Sequence, residues 1–356
     1  MNYLITGNLG YIGPVLSKFI KLNDPNSRIV GYDNGYFLNC PIAAEIINEK
    51  PFVDIQIFGD VRDKEKIIKY IEESDHIIHL AAISNDPMGK EFEKATKEIN
   101  QEASVFIYEE ALRSRAKSFV FASSCSVYGE GSDKPRTEND GVMPLTAYAR
   151  SKVDTENILF DLNGLSNTKL TCLRFATACG YSPNIRLDLV LNDFVATALN
   201  TGNIEILSDG SPWRPLVDVE DMARTIFWAC HRNSGNIKEI LNIGSPEWNY
   251  QIKELAKSVI SILDDNIQLT INKEAAPDNR SYKVSFDKFY SLAPSCYTPK
   301  VDIRESINRM IDSLSPYKSR LARKDRNHLL RLNVLKKLKE LKYLDDNLNW
   351  TDNYIN

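Results

Sequence analysis

The sequence predicts a doubly wound α/β fold: a parallel sheet with helices on both faces, a smaller α/β lobe and a basic C-terminal helix. Three observations carry this expectation. Short apolar runs rich in β-branched residues alternate with longer runs of helical period through most of the chain, and such alternation builds a buried parallel sheet. The pattern breaks after Gly180, where a Pro-containing segment follows. Near the end, Lys318 to Lys342 holds ten Lys/Arg against two acids, Asp325 and Glu340, a local excess of +8 in a chain of net charge −4.

Taken in order, strands are expected near Tyr3–Thr6, Arg28–Tyr32, Asp54–Phe58, His76–Leu80, Ser118–Ala122 and Lys169–Phe175, where β-branched and aromatic residues cluster between turn signals. Helices are expected between them, near Ile12–Leu22, Lys64–Glu73, Glu91–Ser114 and Leu145–Leu162. After Gly180 a helix near Leu187–Asn200, a short strand near Ile204–Leu207 and the loop Ser208 to Trp213 suggest the second lobe. Arg214–Val219, a helix over Asp221–His231 and Ile240–Ile243 look again like the first. At about 150 residues per domain, a chain of 356 residues exceeds one compact core. The expected division is therefore residues 1–179 with 214–245 returning to them, a lobe of 180–213 and 246–315, and a basic extension over 316–356. In that extension Leu330, Val334, Leu338 and Leu341 recur every three or four residues, one apolar stripe on a helix that must pack on something.

Composition narrows the function classes. With 43% hydrophobic and 26% charged residues, and no run approaching the roughly 18 apolar residues of a membrane-spanning helix, membrane-spanning, collagen-like and disordered chains are excluded. The N-terminal residues lack the basic region and cleavage site of a secretory signal, so a cytoplasmic location is expected. Cys40, Cys125, Cys172, Cys179, Cys230 and Cys296 are scattered without a C-x-x-C pair, and only four histidines accompany them. Reduced, buried thiols are expected, with no metal site.

The first motif is Thr6-Gly7-Asn8-Leu9-Gly10-Tyr11-Ile12-Gly13, placed after the first strand and opening the first helix. In that context the glycines have mechanical meaning: Gly7 for the sharp turn, Gly10 for close approach of a pyrophosphate, Gly13 for close packing of helix and strand. Tyr11 and Ile12 stand at the helix start, whose N–H groups attract an anion. Asp33 ends the second strand about twenty residues on, where a carboxylate accepts hydrogen bonds from an adenosine ribose and repels the extra phosphate of NADP. The set implies a Rossmann-type dinucleotide site with a preference for NAD. A plain turn before Asn34-Gly35 is the competing explanation of Asp33.

The second motif is Tyr148-Ala149-Arg150-Ser151-Lys152, whose spacing of four puts phenol and ammonium on one helical face. A nearby cation favours the phenolate, moving the tyrosine towards general acid–base work near neutral pH. Ser124, just after the fifth strand, sits where a doubly wound sheet delivers side chains to its crevice.

With Gly7, Gly10, Gly13, Asp33, Ser124, Tyr148 and Lys152 assembled, the chain resembles the extended short-chain dehydrogenase/reductase family, and within it the nucleotide-sugar epimerases and dehydratases of the UDP-galactose 4-epimerase type. The resemblance runs from residue 1 to about 315. It implies that Ser124, Tyr148 and Lys152 form the catalytic triad. It also implies that Asp60 and Val61 border the adenine, that Leu80, Ala81 and Ala82 line the cofactor with Asn100 in support, and that Phe175 lies beside the nicotinamide. Ser84, Thr177, Arg214, Arg280 and Tyr282 are implied to contact substrate, with Asp278 beside them. For Arg214 and Arg280 the physical reason is the parallel pair of hydrogen bonds that a guanidinium offers a diphosphate.

Two departures refine the resemblance. Thr177 stands close to where the family often has an asparagine, and a hydroxyl cannot offer the same pair of donors. Sugar 4,6-dehydratases carry Asp-Glu after the serine, whereas this chain has Cys125-Ser126, so ordinary dehydration is not expected. Cys125 is expected to act as a small buried hydrophobe.

The resulting expectation is an NAD-dependent epimerase of a nucleotide-activated sugar, acting at C4 by transient oxidation to a keto-sugar and return of the hydride, and working as a homodimer without nucleic acid or a membrane span. A one-way reductase or dehydrogenase would use the same residues. A non-catalytic NAD-binding protein would need none of the triad.

Overall fold

The computed structural model describes residues 1–38, 52–131, 134–162, 167–264, 266–272, 274, 280–321 and 327–352; Cys40 and Asp278 lie outside them. Strand β1 (Asn2–Thr6) is followed by helix α1 (Gly13–Asn23), β2 (Arg28–Asp33), β3 (Ile55–Phe58), α2 (Lys64–Glu72) and β4 (His76–His79). The short helices α3 (Asp86–Glu91) and α4 (Glu93–Lys97), a π-helical turn (Glu98–Glu102) and α5 (Ala103–Arg113) lead to β5 (Ser118–Ser124), α6 (Ala147–Asp161) and β6 (Lys169–Phe175). Next come β7 (Thr177–Cys179), α7 (Val190–Thr201), β8 (Asn203–Ile206), β9 (Trp213–Asp218), α8 (Val219–His231) and β10 (Lys238–Ile243). The chain ends with β11 (Asn249–Gln251), α9 (Ile252–Leu263), β12 (Gln268–Ile271), α10 (Asp287–Leu292), α11 (Ile303–Leu314) and α12 (Arg331–Glu340).

Seven strands form one sheet in the order β10-β6-β5-β4-β1-β2-β3, parallel throughout. Period-two alternation sends Tyr3 and Ile5 to one face, against Leu16 and Ile20 of α1. Leu4 goes to the other, against Ile67 of α2 and Ile107 of α5. Both faces of β1 are therefore dry, and the strand reads as a continuous apolar run. The chain winds outward in opposite directions from β1 and β4, so a crevice opens beyond their carboxyl ends.

A separate core gathers α7, α9 and α11 around Leu191, Val195, Leu255 and Ile307, beside the parallel pair β8 and β12. Asp302 starts α11 by accepting from the Glu305 backbone N–H at 2.7 Å, which satisfies one of the helix's orphan donors.

Three expectations need correction. Arg214–Val219, expected to return to the first lobe, falls mostly in β9, which pairs with β7 and β11 in a three-stranded sheet rather than joining the seven-stranded one. The long helix expected over Glu91–Ser114 is interrupted at Phe92 and by the π turn. There the Asn100 carbonyl accepts the hydroxyls of Ser104 at 2.7 Å and Thr155 at 3.1 Å, and such π turns recur at functional sites. In the C-terminal segment the expected stripe is displaced: Leu335 is fully buried while Leu341 is 46% exposed, because α12 ends at Glu340. Among the described residues no helix is long and apolar enough to cross a membrane, and no cluster of His, Cys, Asp and Glu could hold a metal ion.

Candidate active site

The crevice deepens into a cavity of about 600 Å³. Its floor is the glycine loop. Gly7 has φ 73°, and a Cβ there would lie 2.6 Å from the Ala81 backbone nitrogen, so only glycine fits that turn. Helix α1 begins without a side-chain cap or an acidic residue in its first turn, which leaves its N-terminal donors for an anion. Asp33 accepts from the Leu9 N–H at 3.1 Å and the Gly35 N–H at 2.8 Å. These bonds and the Arg331 charge pull its carboxyl pKa down, yet burial outweighs them and holds it above the usual carboxylate range. A cavity wall with an uncapped helix start and a carboxylate beside it fits a dinucleotide.

Of the residues expected at the cofactor, Gly7, Gly10, Tyr11, Ile12 and Asp33 line the cavity, as do Val61, Leu80, Ala81, Ala82 and Phe175. Gly13, Asp60 and Asn100 stand behind the wall. A Cβ on Gly13 would strike the Asn8 carbonyl, so that glycine closes the loop on itself. The Asp60 carboxylate is taken by Arg62, Nη2 to Oδ2 at 2.7 Å, and does not line the cavity. Asn100 accepts from the Ile83 N–H at 2.8 Å and donates to the Ser151 hydroxyl at 3.0 Å. It ties the loop after β4 to helix α6.

The triad residues meet in the same cavity. Thr146 caps α6 by accepting from the Ala149 N–H at 3.1 Å, which places Tyr148 in the first turn, half-buried at the cavity wall. The Ser124 hydroxyl, at the end of β5, faces the Tyr148 phenol across the cavity wall and pulls its pKa down against burial. One turn on, Lys152 Nζ lies 5.8 Å from the Tyr148 ring centroid and 4.6 Å from that of Phe121.

The electrostatics differ from the sequence argument. Burial pushes the Tyr148 phenol up to about 12, opposed by the Ser124 hydroxyl and the Arg186 charge. Burial also pulls Lys152 down to about 8. Desolvation outweighs attraction in both cases, and the cation that helps the phenolate is Arg186. Folding thus strips a proton from Lys152 between pH of about 8 and its ordinary 10.5. In that window the unfolded chain binds more protons, so stability rises with pH, with a slope approaching about 1.4 kcal/mol per unit. Unfolding free energies of wild type and Lys152→Met, measured against pH, should differ by this slope.

Behind the triad is a buried ion pair. Glu156, one turn beyond Lys152, receives Arg174 Nη2 at 2.7 Å and Nε at 3.1 Å. Its other oxygen accepts the Ser123 hydroxyl at 2.5 Å, and Arg174 also donates to the Tyr128 oxygen at 3.1 Å.

At the substrate end, Ser84, Thr177, Arg214, Arg280 and Tyr282 all line the cavity. Arg214 stands 5.9 Å over the Tyr282 ring. Arg280 reaches across to Asp86 at 2.9 Å. Ser84 accepts from Arg186 Nη1 at 3.0 Å, and Arg186 is fixed by Asp188 with Nη2 to Oδ2 at 2.7 Å.

Among the cavity residues that sequence reasoning missed, three are polar groups facing the site. Arg186 sits in a Pro-containing segment without periodicity. Ser126 was read only for what it replaced, yet its buried hydroxyl makes no hydrogen bond within the described chain and lines the cavity, a donor and acceptor left for a ligand. Arg331 arrives from the C-terminal segment, nearly three hundred residues from the loop it faces. Cys125 is buried, with its thiol pKa pushed up by desolvation, as expected of a small hydrophobe.

A model of the NAD dependent epimerase/dehydratase family matches residues 3–244. An uncharacterised UDP-glucose epimerase of Bacillus subtilis is 27% identical over 270 residues, covering 74% of this chain and 82% of that protein. The UDP-glucose 4-epimerase of Thermotoga maritima with UDP-glucose superposes with a TM-score of 0.76 at 22% identity, over 89% of this chain and 99% of its own. The UDP-glucuronic acid 4-epimerase of Bacillus cereus, in complex with UDP-glucuronic acid and NAD, gives 0.76 at 21% identity over 89% and 100%. At these identities the two structural matches establish the fold.

Proposed function

The chain belongs to the NAD dependent epimerase/dehydratase family, and from that premise we propose that it is a UDP-sugar 4-epimerase. The observation that carries this reading is the convergence of Ser124, Tyr148 and Lys152 on the one cavity that the glycine loop floors. Relatives named as a UDP-glucose 4-epimerase and a probable UDP-glucuronate 4-epimerase support it.

The glycine loop, Asp33, Val61, Leu80 to Ala82 and Phe175 would hold NAD, which when bound supplies the acceptor and donor of a hydride at a sugar carbon. Tyr148 takes the proton of the sugar 4-hydroxyl and later gives it back, so it serves as base and acid in turn. Ser124 bridges the phenol and the sugar oxygen. Arg186 supplies positive charge for the phenolate, and Lys152 lies under the Tyr148 ring. No residue beside Ser124 adds acid–base chemistry, because Cys125 is sealed in the core, and Ser126 is a hydroxyl. Elimination of a sugar hydroxyl would need more.

In this reading residues 180–213 and 246–315 hold the nucleotide sugar, with Arg214 and Arg280 on its diphosphate. Arg214 keeps that end anchored while the keto-sugar turns over. Arg214→Ala should raise the KM for the UDP-sugar about 10- to 100-fold, the worth of a charge-assisted contact, and steady-state kinetics measures it. The protein is further assigned as a cytoplasmic homodimer that engages no nucleic acid.

The test is to incubate the purified protein with UDP-glucose or UDP-glucuronic acid, identify products by NMR, and follow the absorbance of reduced nicotinamide. A 4-epimer formed without net reduction supports the assignment. Stoichiometric reduction of nicotinamide, or no epimer from either sugar, refutes it.

A further inference from the structure

The family match ends at residue 244, yet a segment far beyond it reaches the cofactor end of the cavity. Arg331, 4% exposed, lines the wall that Gly10 and Asp33 share. Its guanidinium lies 4.2 Å from the Phe37 ring centroid and donates from Nη2 to Asn184 Oδ1 at 2.7 Å. Asn184 in turn donates to the carbonyl of Leu9 in the glycine loop. The Leu9 N–H, at the other side of that residue, is the donor to Asp33. Arg331, Asn184, Leu9 and Asp33 thus form one connected chain of polar contacts around the loop.

The segment then stays on that side. Leu335, Leu344 and Leu348 enter the core beside Tyr36 and Val61. Arg62 donates to the carbonyls of Asn347 at 2.7 Å and Leu348 at 3.2 Å. The Tyr36 hydroxyl also donates to the Leu348 carbonyl. Trp350 Nε1 donates to the Asn34 carbonyl at 2.7 Å, and its ring lies 5.6 Å from that of Tyr36. Both ends of residues 331–350 are therefore fastened to the loops that follow β1, β2 and β3.

We propose that residues 331–350 are a clasp over the adenosine end of the cofactor site, with Arg331 a further NAD-binding residue. The inference rests on the proposed use of NAD. Asp33 accepts hydrogen bonds from hydroxyls, and Arg331 adds the complementary donor and positive charge for an anionic dinucleotide. Because the clasp is bonded to Asn34, Tyr36 and Arg62, and through Asn184 to Leu9, those loops cannot part to release the nucleotide until the clasp detaches. A retained cofactor suits a reaction that returns its hydride each turnover and gains nothing from exchange.

The test loads the full-length protein with radiolabelled NAD and follows label release into excess unlabelled NAD. Arg331→Gln should release NAD about tenfold faster or more, and Arg331→Lys, which keeps the charge, should recover part of the retention. Trp350→Phe, which removes the bond to Asn34 and trims the ring beside Tyr36, should also release faster, and it keeps the test informative if the arginine variant fails to fold. Release as slow as wild type in both Arg331→Gln and Trp350→Phe, with folding confirmed by thermal melting, would overturn the clasp. Faster release shared equally by Arg331→Gln and Arg331→Lys would overturn the role of the charge. A wild-type protein that binds no NAD at all would refute the proposed function, and the clasp with it.

Discussion

Tyr148→Phe is expected to lower kcat by about a hundredfold to ten-thousandfold, the usual worth of a positioned acid–base group, while NAD remains bound. The phenol oxygen is the only heavy atom removed, and it is the atom whose pKa Ser124 and Arg186 pull down against burial. The ring stays, so its contact with Lys152 across 5.8 Å is preserved, and so is the packing at the start of α6. Because the cofactor wall is built from the glycine loop, Asp33 and Leu80 to Ala82, none of which Tyr148 supports, nucleotide content should match wild type. Turnover and the NAD released on denaturation, measured on one preparation, separate the two effects. An active Tyr148→Phe protein would remove the phenol from the mechanism.

Glu156→Leu is expected to cost about 3–5 kcal/mol, because it leaves the Arg174 charge buried without its partner. Against the roughly 5–15 kcal/mol by which a folded chain exceeds its unfolded state, that is a large fraction. Arg174 is 5% exposed and Glu156 1%, so water cannot replace the lost carboxylate. The double variant Glu156→Leu/Arg174→Leu should recover most of the loss, since apolar residues of similar volume substitute for a buried pair at little cost. Urea unfolding of the three proteins measures both. Glu156 also raises the pKa of Lys152, so the single variant should further depress the lysine. A single variant as stable as wild type would contradict the assignment of this pair as a buried, desolvated ion pair.

The sheet was legible because its central strands are buried on both faces and read as apolar runs; the strand Lys169–Phe175 follows from the residues alone. The glycine loop was legible because Gly7 and Gly13 answer local steric demands that no other residue meets. The Tyr148–Lys152 face follows from helical spacing, but its electrostatics do not, because desolvation depends on Phe121 and the sheet beneath. Asp60 illustrates the same limit: its position was legible, but capture by Arg62, two residues on, depends on side-chain geometry. Trp213–Asp218 has strand character without any mark of which sheet it joins. Arg186, Ser126 and Arg331 reach the cavity through tertiary placement, and no periodicity marks them. The basic C-terminal run suggested a helix that needs covering; what it covers was settled by Arg62, Tyr36 and Asn34, far away in sequence.

The most direct measurement follows deuterium at C4. A UDP-sugar labelled with deuterium at that carbon is incubated with the purified protein in ordinary water, and the products are read by NMR and mass spectrometry. Oxidation and return at one carbon predict the 4-epimer with its deuterium kept at C4. Loss of the label to solvent, or accumulation of deuterated reduced nicotinamide in proportion to sugar consumed, would contradict the account.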